Sequence, residues 1–409
     1  YNPVETTTLN VYQSGTLSAS FELSYSDFNP SITIGPDLVI ETMEENMVVT
    51  YQAPIASDTY GITSGPTCTP ESGSLFPRGV TTVTCTATNT LGNVTEETFT
   101  VTVTDHIGAY TISAFDGGDC SFIGTYDVST LTCTLTEDVT VDDSGGIIIG
   151  SDGITLDGGN SYGIYGTATG TGAGAALAPN YGTDGGTVSP DGQYGVLIDG
   201  KDNVTIRNIG AIQSFHAGIV VKNANNVDIL SNSISNIHYS AMQVVGSSGV
   251  TMTSNTISNV LTSWDHGCAV QISSSATVTL NQNNISGDGW GYCITNSNGV
   301  DIDANNIASN MGAHINGVPE SSNIQIRNMQ FSSGKEIWIG GCHPSCSTTI
   351  VKSVTITGNT FDMSDHAIIF DHVQGITISD NIFKNSHSQM VWFMGGNTGG
   401  HTITGNTFA

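Results

Sequence analysis

The sequence predicts an all-β protein in which a small β-sandwich precedes a long β-solenoid. Three observations lead to this prediction. A strand-like element recurs every 22 to 30 residues from Val204 onward, and the stretch before Asp105 alternates apolar and polar residues between Pro, Gly and Asn turns. The third observation is that the 8 cysteines fall into four pairs close in sequence. Repeats of this length are typical of solenoids, and alternation is typical of half-buried strands.

Two segments precede the repeat. Residues 1–36 contain two alternating runs and are predicted to be strand segments, with a candidate role as an assembly strand that adds to a neighbouring subunit. Residues 37–105 show short apolar alternations separated by turn residues, the pattern of small antiparallel β domains. The alternation is strictest from Thr98 to Thr104. We therefore expect a sandwich at 37–105.

Three strings in the predicted sandwich carry a family resemblance: VVTYQAPIASD at 48–58, CTPESGSLFPRGVTTVTCTATNTLGN at 68–93 and FTVTVTD at 99–105. Together they resemble the hyalin-repeat (HYR) family of immunoglobulin-like domains. The resemblance implies an immunoglobulin-like β-sandwich that serves as an extracellular spacer or adhesion module and performs no chemistry. It also implies a disulfide between Cys68 and Cys85.

The repeat consists of a short alternating element of the type Val204-Thr-Ile. It begins at Val204, Val227, Val250, Val278, Val300, Ile324, Val354, Ile376 and His401. The steps between these residues are 23, 23, 28, 22, 24, 30, 22 and 25 residues. Because the element alternates, it is predicted to be a strand, and helical repeats are excluded.

An asparagine stands five residues after the start of most elements: Asn232, Asn255, Asn283, Asn305, Asn359, Asn381 and Asn406. Asparagine tolerates the left-handed backbone conformation, so we expect it to form the turn between two strands of a coil. Stacked coils would place these asparagines above one another, where their amides can form a hydrogen-bonded ladder.

Two inward stripes are predicted to fill the core. One lies two residues after the asparagine and runs from Ile234 to Phe408. The second lies farther along each coil: Ile219-Val220, Met242, Ala269-Val270, Ile294, Ile337-Trp338, Ile368-Ile369 and Val391-Trp392.

This repeat pattern resembles the right-handed parallel β-helix repeats of the pectate-lyase-like superfamily, which includes periplasmic copper-binding NosD-like and carbohydrate-active members. The resemblance implies a right-handed parallel β-helix, which we assign to residues 106–409. Residues 106–145 are predicted to be its entry or cap, and residues 158–194, which are rich in Gly, Ala and Thr, are predicted to hold a projecting insertion. The resemblance implies little about function, because the fold hosts many unrelated functions.

Charge narrows the classes of partner. The chain has 8 Lys and Arg against 36 Asp and Glu, for a formal net charge of −28. This balance argues against nucleic acid, whose affinity comes from cations that meet phosphates. No apolar run is long enough to cross a bilayer, so no membrane insertion is predicted. Acidity is compatible with Ca²⁺, with Asp184 and Asp191 as candidates and solvated turns as the alternative; no other cofactor is predicted.

The cysteines predict the pairs Cys68 with Cys85, Cys120 with Cys133, Cys268 with Cys293 and Cys342 with Cys346. Disulfides in this number indicate an oxidising compartment, so we expect a secreted protein that is extracellular or at the cell surface. Zinc is the alternative for the cysteines. Sequons at Asn93, Asn203 and Asn284 permit N-glycosylation of such a chain.

One face of the predicted β-helix carries aromatic, His and Asp residues just before the second inward stripe. They are His216, His238, Tyr239, Trp264, Asp265, His266, Trp290, Tyr292, His314, Asp365, His366 and His387. Equivalent positions of successive coils stack about 4.8 Å apart, so these residues would form a glycan-binding groove. The alternative is that they are turn residues whose rings cover the edges of the coils.

As an enzyme, the chain would be a polysaccharide lyase or glycoside hydrolase with Asp265, His266, Asp365 and His366 as catalytic candidates. Glycoside hydrolysis needs two opposed carboxylates, and the two aspartates are predicted to lie about four coils apart. Uronate lyases need cations, and this face has almost no Lys or Arg. The sequence therefore argues against an enzyme.

Two functions fit these observations. The first is a secreted structural protein, such as a self-assembling filament subunit or adhesin. The chain ends in mid-repeat at residues 401–409 without a polar cap, which favours head-to-tail self-association; truncation is the competing explanation. The second function is a carbohydrate-binding or polysaccharide-degrading β-helix, for which glycans are the partners.

Overall fold

The computed structural model describes residues 5–13, 15–25, 29–42, 46–105, 108–141, 145–166, 194–260, 268–316, 321–332, 337–340, 351–362, 366–385 and 389–409. The chain divides into two compact units, Tyr1–His106 and Ile107–Ala409. Within the described residues, the one helix is Cys120–Ile123 and the remaining regular elements are strands. The predicted fold class, a β-sandwich followed by a parallel β-helix, is confirmed.

The first unit consists of one sheet of four strands and three strand pairs. The four-stranded sheet has the order Leu38–Thr42, Val94–Asp105, Gly79–Asn89 and Ile62–Thr69. Its first two strands are parallel and the others antiparallel. The antiparallel pairs are Glu5–Gln13 with Thr16–Tyr25, Ser31–Thr33 with Ile55–Ser57, and Asn46–Val49 with Ser74–Pro77.

Strict alternation gives this unit its core. Inward residues of the four-stranded sheet pack against the pair Asn46–Val49 and Ser74–Pro77, and together they bury Val49, Cys68, Phe76, Val83, Cys85, Phe99, Val101 and Val103. Cys68 and Cys85 lie directly opposite each other, with Cα atoms 4.0 Å apart, and form the predicted disulfide. A link of this loop length stabilises the fold by about 3 kcal/mol in the chain-entropy model.

The N-terminal segment differs from its prediction in one respect. Residues 5–25 form a hairpin within the chain, and their role as an assembly strand stays a prediction. Ser31–Thr33 was predicted to lie outside the sandwich but pairs with Ile55–Ser57. The sandwich therefore begins before residue 37.

The second unit is a solenoid in which each regular coil contributes three strand segments, which stack into three columns. The first column contains Gly124–Asp127, Thr132–Leu135, Thr155–Asp157, Thr205–Arg207, Asn225–Leu230, Ser248–Thr253, Ala276–Asn281, Asn298–Asp303, Ser322–Arg327, Val351–Thr357, Val373–Gln374, Thr377–Ser379 and Thr402–Thr404.

The second and third columns follow the first within each coil. The second contains Val139–Thr140, Gly163–Tyr165, Ala211–Gln213, Ser233–Ile237, Thr256–Val260, Gln330–Ser332, Thr360–Asp362, Ile382–Lys384 and Thr407–Phe408. The third contains Tyr110–Ile112, Ile147–Ile149, Tyr194–Asp199, Ala217–Lys222, Ser240–Val245, Cys268–Ser273, Ile337–Ile339, Ile368–Phe370 and Val391–Phe393. The long strands Asn284–Thr295 and Asn306–Asn316 run through both columns.

Successive strands of each column pair in parallel, so the predicted parallel arrangement is confirmed. The antiparallel pair Gly124–Asp127 and Thr132–Leu135 lies near the start of the solenoid, next to the disulfide between Cys120 and Cys133. Of the predicted insertion, residues 158–166 belong to the coils, because Gly163–Tyr165 pairs on both sides within the second column. Residues 167–193 lie outside the described residues.

The asparagine ladder is confirmed. The backbone N–H groups of Asn232, Asn255 and Asn283 each donate to Oδ1 of the next asparagine, at 2.9, 3.0 and 2.7 Å. Their Nδ2 groups donate to the same oxygens at 3.1, 2.9 and 2.8 Å. Met329 stands at the ladder position after Asn305. The ladder resumes from Asn359 to Asn381 and Asn406.

The prediction that these asparagines adopt the left-handed conformation of the turn was wrong. The left-handed residue of each turn is the one before the ladder position: Asn208, Ser231, Ser254, Gln282, Ala304, Asn328, Gly358, Asp380 and Gly405. The ladder asparagines instead satisfy buried backbone groups of adjacent coils. Asn255 Nδ2, for example, donates to the Ile229 carbonyl at 2.8 Å.

A second ladder, which the sequence reasoning missed, lies at the turn from the third column to the first. Ser247, Ser275, Ser297 and Ser321 are buried. Each serine Oγ accepts the backbone N–H of the preceding coil, starting with Ala224, at 3.1, 3.2, 3.2 and 3.3 Å. Serine gives little sequence signal for this role because it is common on the surface as well.

Aromatic stacking fills the core of the C-terminal coils. Phe331, Phe361, Phe383 and Phe408 lie in the second column, with successive ring centroids 4.8, 4.9 and 5.0 Å apart. In the coils before them, Ile234, Ile257, Ile285 and Ile307 hold the equivalent inward positions. The first predicted inward stripe is therefore confirmed.

Candidate functional site

The outer face of the third column presents one residue from each strand in a straight line. Register aligns Ile148, Leu197, Val220, Gln243, Gln271, Cys293, His314, Trp338, Ile369 and Trp392. The residues before and after them, such as Ile337 and Ile339, belong to the main core. Successive residues of a strand face opposite sides of the sheet, so the aligned positions lie on the outer face. We call this line the outer stripe.

This placement corrects part of the second predicted inward stripe. Trp338 and Trp392 were predicted to point into the core together with their neighbours Ile337 and Val391. Ile337 lies in the core and Val391 packs against it. The two tryptophans occupy the alternate positions, and Trp392 is 37% exposed.

The chemistry of the outer stripe changes along its length. At its N-terminal end, Val220 packs with Tyr194, Ala217, Ile148 and Leu197 in a cluster separate from the core. Gln243 and Gln271 follow in the middle of the stripe. The C-terminal end consists of Trp338, Ile369 and Trp392 on consecutive strands. Of His314 between them, only the backbone position is described.

The C-terminal end forms a continuous aromatic and apolar surface. Adjacent strands lie about 4.8 Å apart, so Trp338 and Trp392 are separated by about 10 Å. The His366 ring stacks on the Trp392 ring, with centroids 5.0 Å apart and an interplanar angle of 24°. Ile369 lies between the tryptophans and is buried. Flat aromatic faces of this kind pack well against the apolar faces of sugar rings.

A buried carboxylate lies at the edge of this surface. Asp371 follows Ile369 by two residues and is therefore on the same outer face. It is 7% exposed and is the one charged side chain that is buried among the described residues. A hydrogen bond of 2.8 Å joins its Oδ1 to Nδ1 of His372. The imidazole lies over Gly396, where a Cβ would come within 2.2 Å of the ring.

The sequence reasoning did not identify Asp371 or His372. Both follow a strand and resemble ordinary turn residues, and His372 indeed has a left-handed φ of 53°. The available signal is that a carboxylate and an imidazole are adjacent at the end of an apolar strand. Burial of the carboxylate is visible only in the structure.

His216, His238 and Tyr239 lie far from the aromatic end. The rings of His216 and Tyr239 stack in parallel, with centroids 5.1 Å apart, at the bend between the second and third columns. Burial, reinforced by His238, lowers the pKa of His216. Tyr239 and Trp392 lie six strands apart, about 29 Å at the usual spacing. Trp264, Asp265 and His266, which were predicted to lie between these ends, are outside the described residues, so a continuous groove stays a prediction.

Tyr292 is not a groove residue. It aligns with Val270 and Ala313 inside the solenoid, and its side chain is fully buried. Among the described residues, its hydroxyl has no hydrogen-bond partner, and burial raises its pKa. Near it, Cys268 and Cys293 form the predicted disulfide between adjacent coils. Trp290 is half-buried and aligns with Cys268 and not with the outer stripe.

The family model for a right handed beta helix region matches residues 101–287 and 243–408, which together span most of the chain. The chain belongs to the right-handed β-helix family. The HYR domain model matches residues 30–103, so both predicted resemblances are confirmed. This second match begins before residue 37, in agreement with the pairing of Ser31–Thr33.

Solved structures similar to this β-helix include an endo-xylogalacturonan hydrolase from Aspergillus tubingensis. It is 14% identical, has a TM-score of 0.46, and the match covers 74% of this chain and 92% of that chain. The tailspike protein of E. coli bacteriophage HK620, in complex with a pentasaccharide, is 14% identical with a TM-score of 0.43 and coverages of 68% and 55%. The mannuronan C-5 epimerase AlgE6 A-module of Azotobacter vinelandii is 12% identical with a TM-score of 0.42 and coverages of 75% and 90%.

Likeness at this level carries no argument about function. The sequence has no significant match among curated proteins. Among the described residues of the protein, no α-helix is long and apolar enough to span a membrane.

Several predicted site residues of the β-helix lie outside the described residues: Trp264, Asp265, His266, Asp365, His387, Cys342, Cys346, Asp184 and Asp191. Of the four catalytic candidates, His366 is described. The six described cysteines are all in disulfides, which overturns the zinc alternative for them. Within the described ranges, no three His, Cys, Asp or Glu side chains come together as a metal site. Ca²⁺ binding stays a prediction.

The three sequons lie at different depths. Asn203 and Asn284 are exposed, and Asn93 is half-buried. Oδ1 of the Asn284 side chain accepts a hydrogen bond from Nδ2 of Asn306 at 2.8 Å. Glycosylation of these asparagines stays a prediction.

Proposed function

We propose that this chain is an extracellular β-helix protein that binds a glycan at the C-terminal end of its outer stripe without cleaving it. The observation that carries the proposal is the alignment of Trp338, Ile369 and Trp392 on consecutive strands of one outer face. A glycan laid along the solenoid axis would meet one tryptophan, cross Ile369 and meet the other.

The rigidity of the β-helix supports binding at this surface. Main-chain pairing on both sides fixes the spacing of the two tryptophans, and His366 holds the Trp392 ring by stacking. A preformed surface loses little side-chain entropy when a ligand binds, so more of the contact energy appears as affinity.

The carboxylates described at this end support binding over cleavage. Both mechanisms of glycoside hydrolysis use two carboxyl groups within about 10 Å of each other. Among the described third-column residues 337–340, 366–372 and 389–394, Asp371 is the one carboxylate. A site with one carboxylate and two tryptophans fits recognition better than hydrolysis.

The disulfides and the first domain support an extracellular compartment. Three disulfides are favoured outside the reducing cytosol, and they accompany a domain of the HYR family. A structural, filament-forming or adhesive role and head-to-tail self-association stay predictions. Glycan binding would be compatible with an adhesive role.

Isothermal titration of the full chain with a panel of neutral oligosaccharides tests the proposal. Trp392→Ala should weaken the affinity for the best ligand by about tenfold, because one aromatic contact contributes about 1–2 kcal/mol. Phe115→Ala is the matched control: Phe115 is 91% exposed in the same unit and lies outside the stripe. Equal affinity of the wild type and Trp392→Ala would remove this site from consideration.

The same incubations, followed by mass spectrometry, test the absence of cleavage. We expect the oligosaccharide to be recovered intact after prolonged incubation with wild-type protein. Shorter products that disappear when Asp371 is changed to Asn would contradict the proposal and establish an enzyme.

A further inference from the structure

We infer that the outer stripe selects glycans of uncharged sugars and rejects the corresponding polymers of uronic acid. This inference rests on the proposed function and adds to it the substrate class. It follows from the charges that the structure places on and around the tryptophans.

The protein has few cations to offer a carboxylate polymer. It carries 8 Lys and Arg in 409 residues. Among the described cations, Arg207 pairs with Asp157 at 2.7 Å, Lys222 with Asp199 at 3.3 Å, and Arg327 with Asp301 at 2.6 Å. The first two pairs lie in coils before the aromatic end of the stripe, and Arg327 lies on the first column of the coil that carries Trp338.

The cations described in the C-terminal coils lie on other columns. Lys352 is in the first-column strand Val351–Thr357, and Lys384 is in the second-column strand Ile382–Lys384. In a three-sided coil, outward residues of different columns are on different faces. Lys335 and Glu336, which precede Ile337 in the sequence, are outside the described residues and have opposite formal charges.

Asp371 adds a carboxylate at the edge of the stripe. The carboxylate is largely removed from solvent, and its Oδ1 lies 2.8 Å from Nδ1 of the His372 imidazole. Water screens a buried charge less than an exposed one, so an approaching anion would experience a larger share of its field. A hydroxyl group, in contrast, can donate a hydrogen bond to a carboxylate.

These charges predict that a neutral sugar binds more tightly than the uronate of the same linkage. A neutral sugar can stack on Trp392 and direct a hydroxyl toward Asp371. A uronate of the same linkage can stack equally well, but it brings a carboxylate near Asp371 without a described cation on that face. Like charges placed close together at an interface disfavour the wrong partner.

Matched pairs of ligands test this inference. Cellohexaose, mannohexaose and galactohexaose are each titrated into the full chain beside their C6-oxidised counterparts, in which every CH₂OH is a carboxylate. For each neutral sugar that binds, the oxidised form should bind at least about tenfold more weakly at low salt. Raising NaCl should narrow that difference, because salt screens repulsion, and should leave the neutral ligand unchanged.

A variant assigns the discrimination to Asp371. Asp371→Asn should lower the ratio of neutral to oxidised affinity by about threefold or more. The control is Asp362→Asn, an exposed aspartate of the second column in the same coil, which should preserve the ratio. The ratio compares two ligands on one variant, so a general loss of affinity does not mimic the effect.

The outcomes separate this inference from the proposed function. Neutral and oxidised sugars that bind equally, or oxidised binding that weakens as salt is added, would overturn the inference while the glycan site stands. No binding of any sugar, with Trp392→Ala indistinguishable from wild type, would overturn the proposed function itself.

Discussion

The first and third columns of the β-helix share one inward pattern but present different outer surfaces. Inward positions of both columns are almost uniformly Val, Ile, Leu or Met, and they are buried. On the outside, the first column aligns polar side chains: Thr205, Asp228, Thr251, Thr279, Asp301, Gln325, Thr355, Thr377 and Thr402. The third column aligns apolar residues, two glutamines, a cysteine, a histidine and two tryptophans.

This difference indicates where function lies on the solenoid. Packing constrains the inward residues, and any polar residue that suits a strand satisfies the outward positions. On the first column, the charges satisfy one another, since Arg327 contacts Asp301 and Asp303 at 2.6 and 3.2 Å. The tryptophans of the third column lie outside the core cluster, which supports the glycan binding proposed above.

The largest expected effect on stability comes from a substitution at an inward position. Phe361 is fully buried between Phe331 and Phe383. Phe361→Ala should lower the free energy of unfolding by about 4 kcal/mol, because it removes a large apolar side chain and leaves a cavity. Chemical denaturation measured by circular dichroism checks this value.

The outward control in the preceding first-column strand is Thr355→Ala, which should change stability by less than about 0.5 kcal/mol. If the two variants lose similar stability, the inward and outward positions are not energetically distinct and the comparison fails.

A smaller effect is expected for the asparagine ladder. Asn283 Oδ1 accepts two hydrogen bonds from Asn255, and its Nδ2 donates to the Met252 carbonyl and to Asn305 Oδ1 at 2.9 and 2.8 Å. Asn283→Ala should cost about 2–3 kcal/mol, because it leaves buried donors and acceptors without partners. Denaturant midpoints measure the loss.

Asn281 provides the matched control for the ladder, since it is the same residue type two positions earlier on the outer face of the first column. Asn281→Ala should be nearly neutral. A loss as large as that of Asn283→Ala would mean that the ladder contributes little beyond a surface asparagine.

The fold could be predicted from the sequence because the constraint repeats. The core must be filled once per coil, so Val, Ile and Asn recur at fixed offsets and make the strand and the ladder visible. The left-handed residue could not be predicted, because Ser231, Gln282, Ala304 and Gly358 all occupy equivalent turns. Backbone conformation there is imposed by the coil rather than encoded by one residue type.

The site was harder to predict because each of its residues occurs only once. Trp338 and Trp392 follow inward apolar residues, and hydrophobicity alone assigned them to the core; only the register shows which of two adjacent residues faces outward. Conversely, Tyr292 was assigned to the surface by its neighbours in sequence, although a small residue, Ala313, makes room for it inside. Of the predicted column of His and aromatic residues, Tyr239 and Tyr292 are buried, whereas Trp338 and Trp392 of the outer stripe were not predicted as members of that column.

The smallest expected effect concerns His216 and the pH dependence of the protein's stability. Its pKa is lowered by burial and by His238, so the unfolded chain binds a proton more readily than the folded protein. The contribution of His216 to the stability of the folded protein is therefore fully present above the pKa of the unfolded chain, about 6.5. It is lost as the pH falls through the lower pKa of the folded protein. His216→Gln should therefore lose less stability than wild type between pH 7.5 and 5.5, as measured by denaturation at each pH.

His238→Gln should shift the His216 titration, followed by NMR, toward higher pH. If the stability of wild type and His216→Gln depends on pH in the same way, burial does not hold the His216 ring neutral. The assignment of His216 to a structural role beside Tyr239 would then fail.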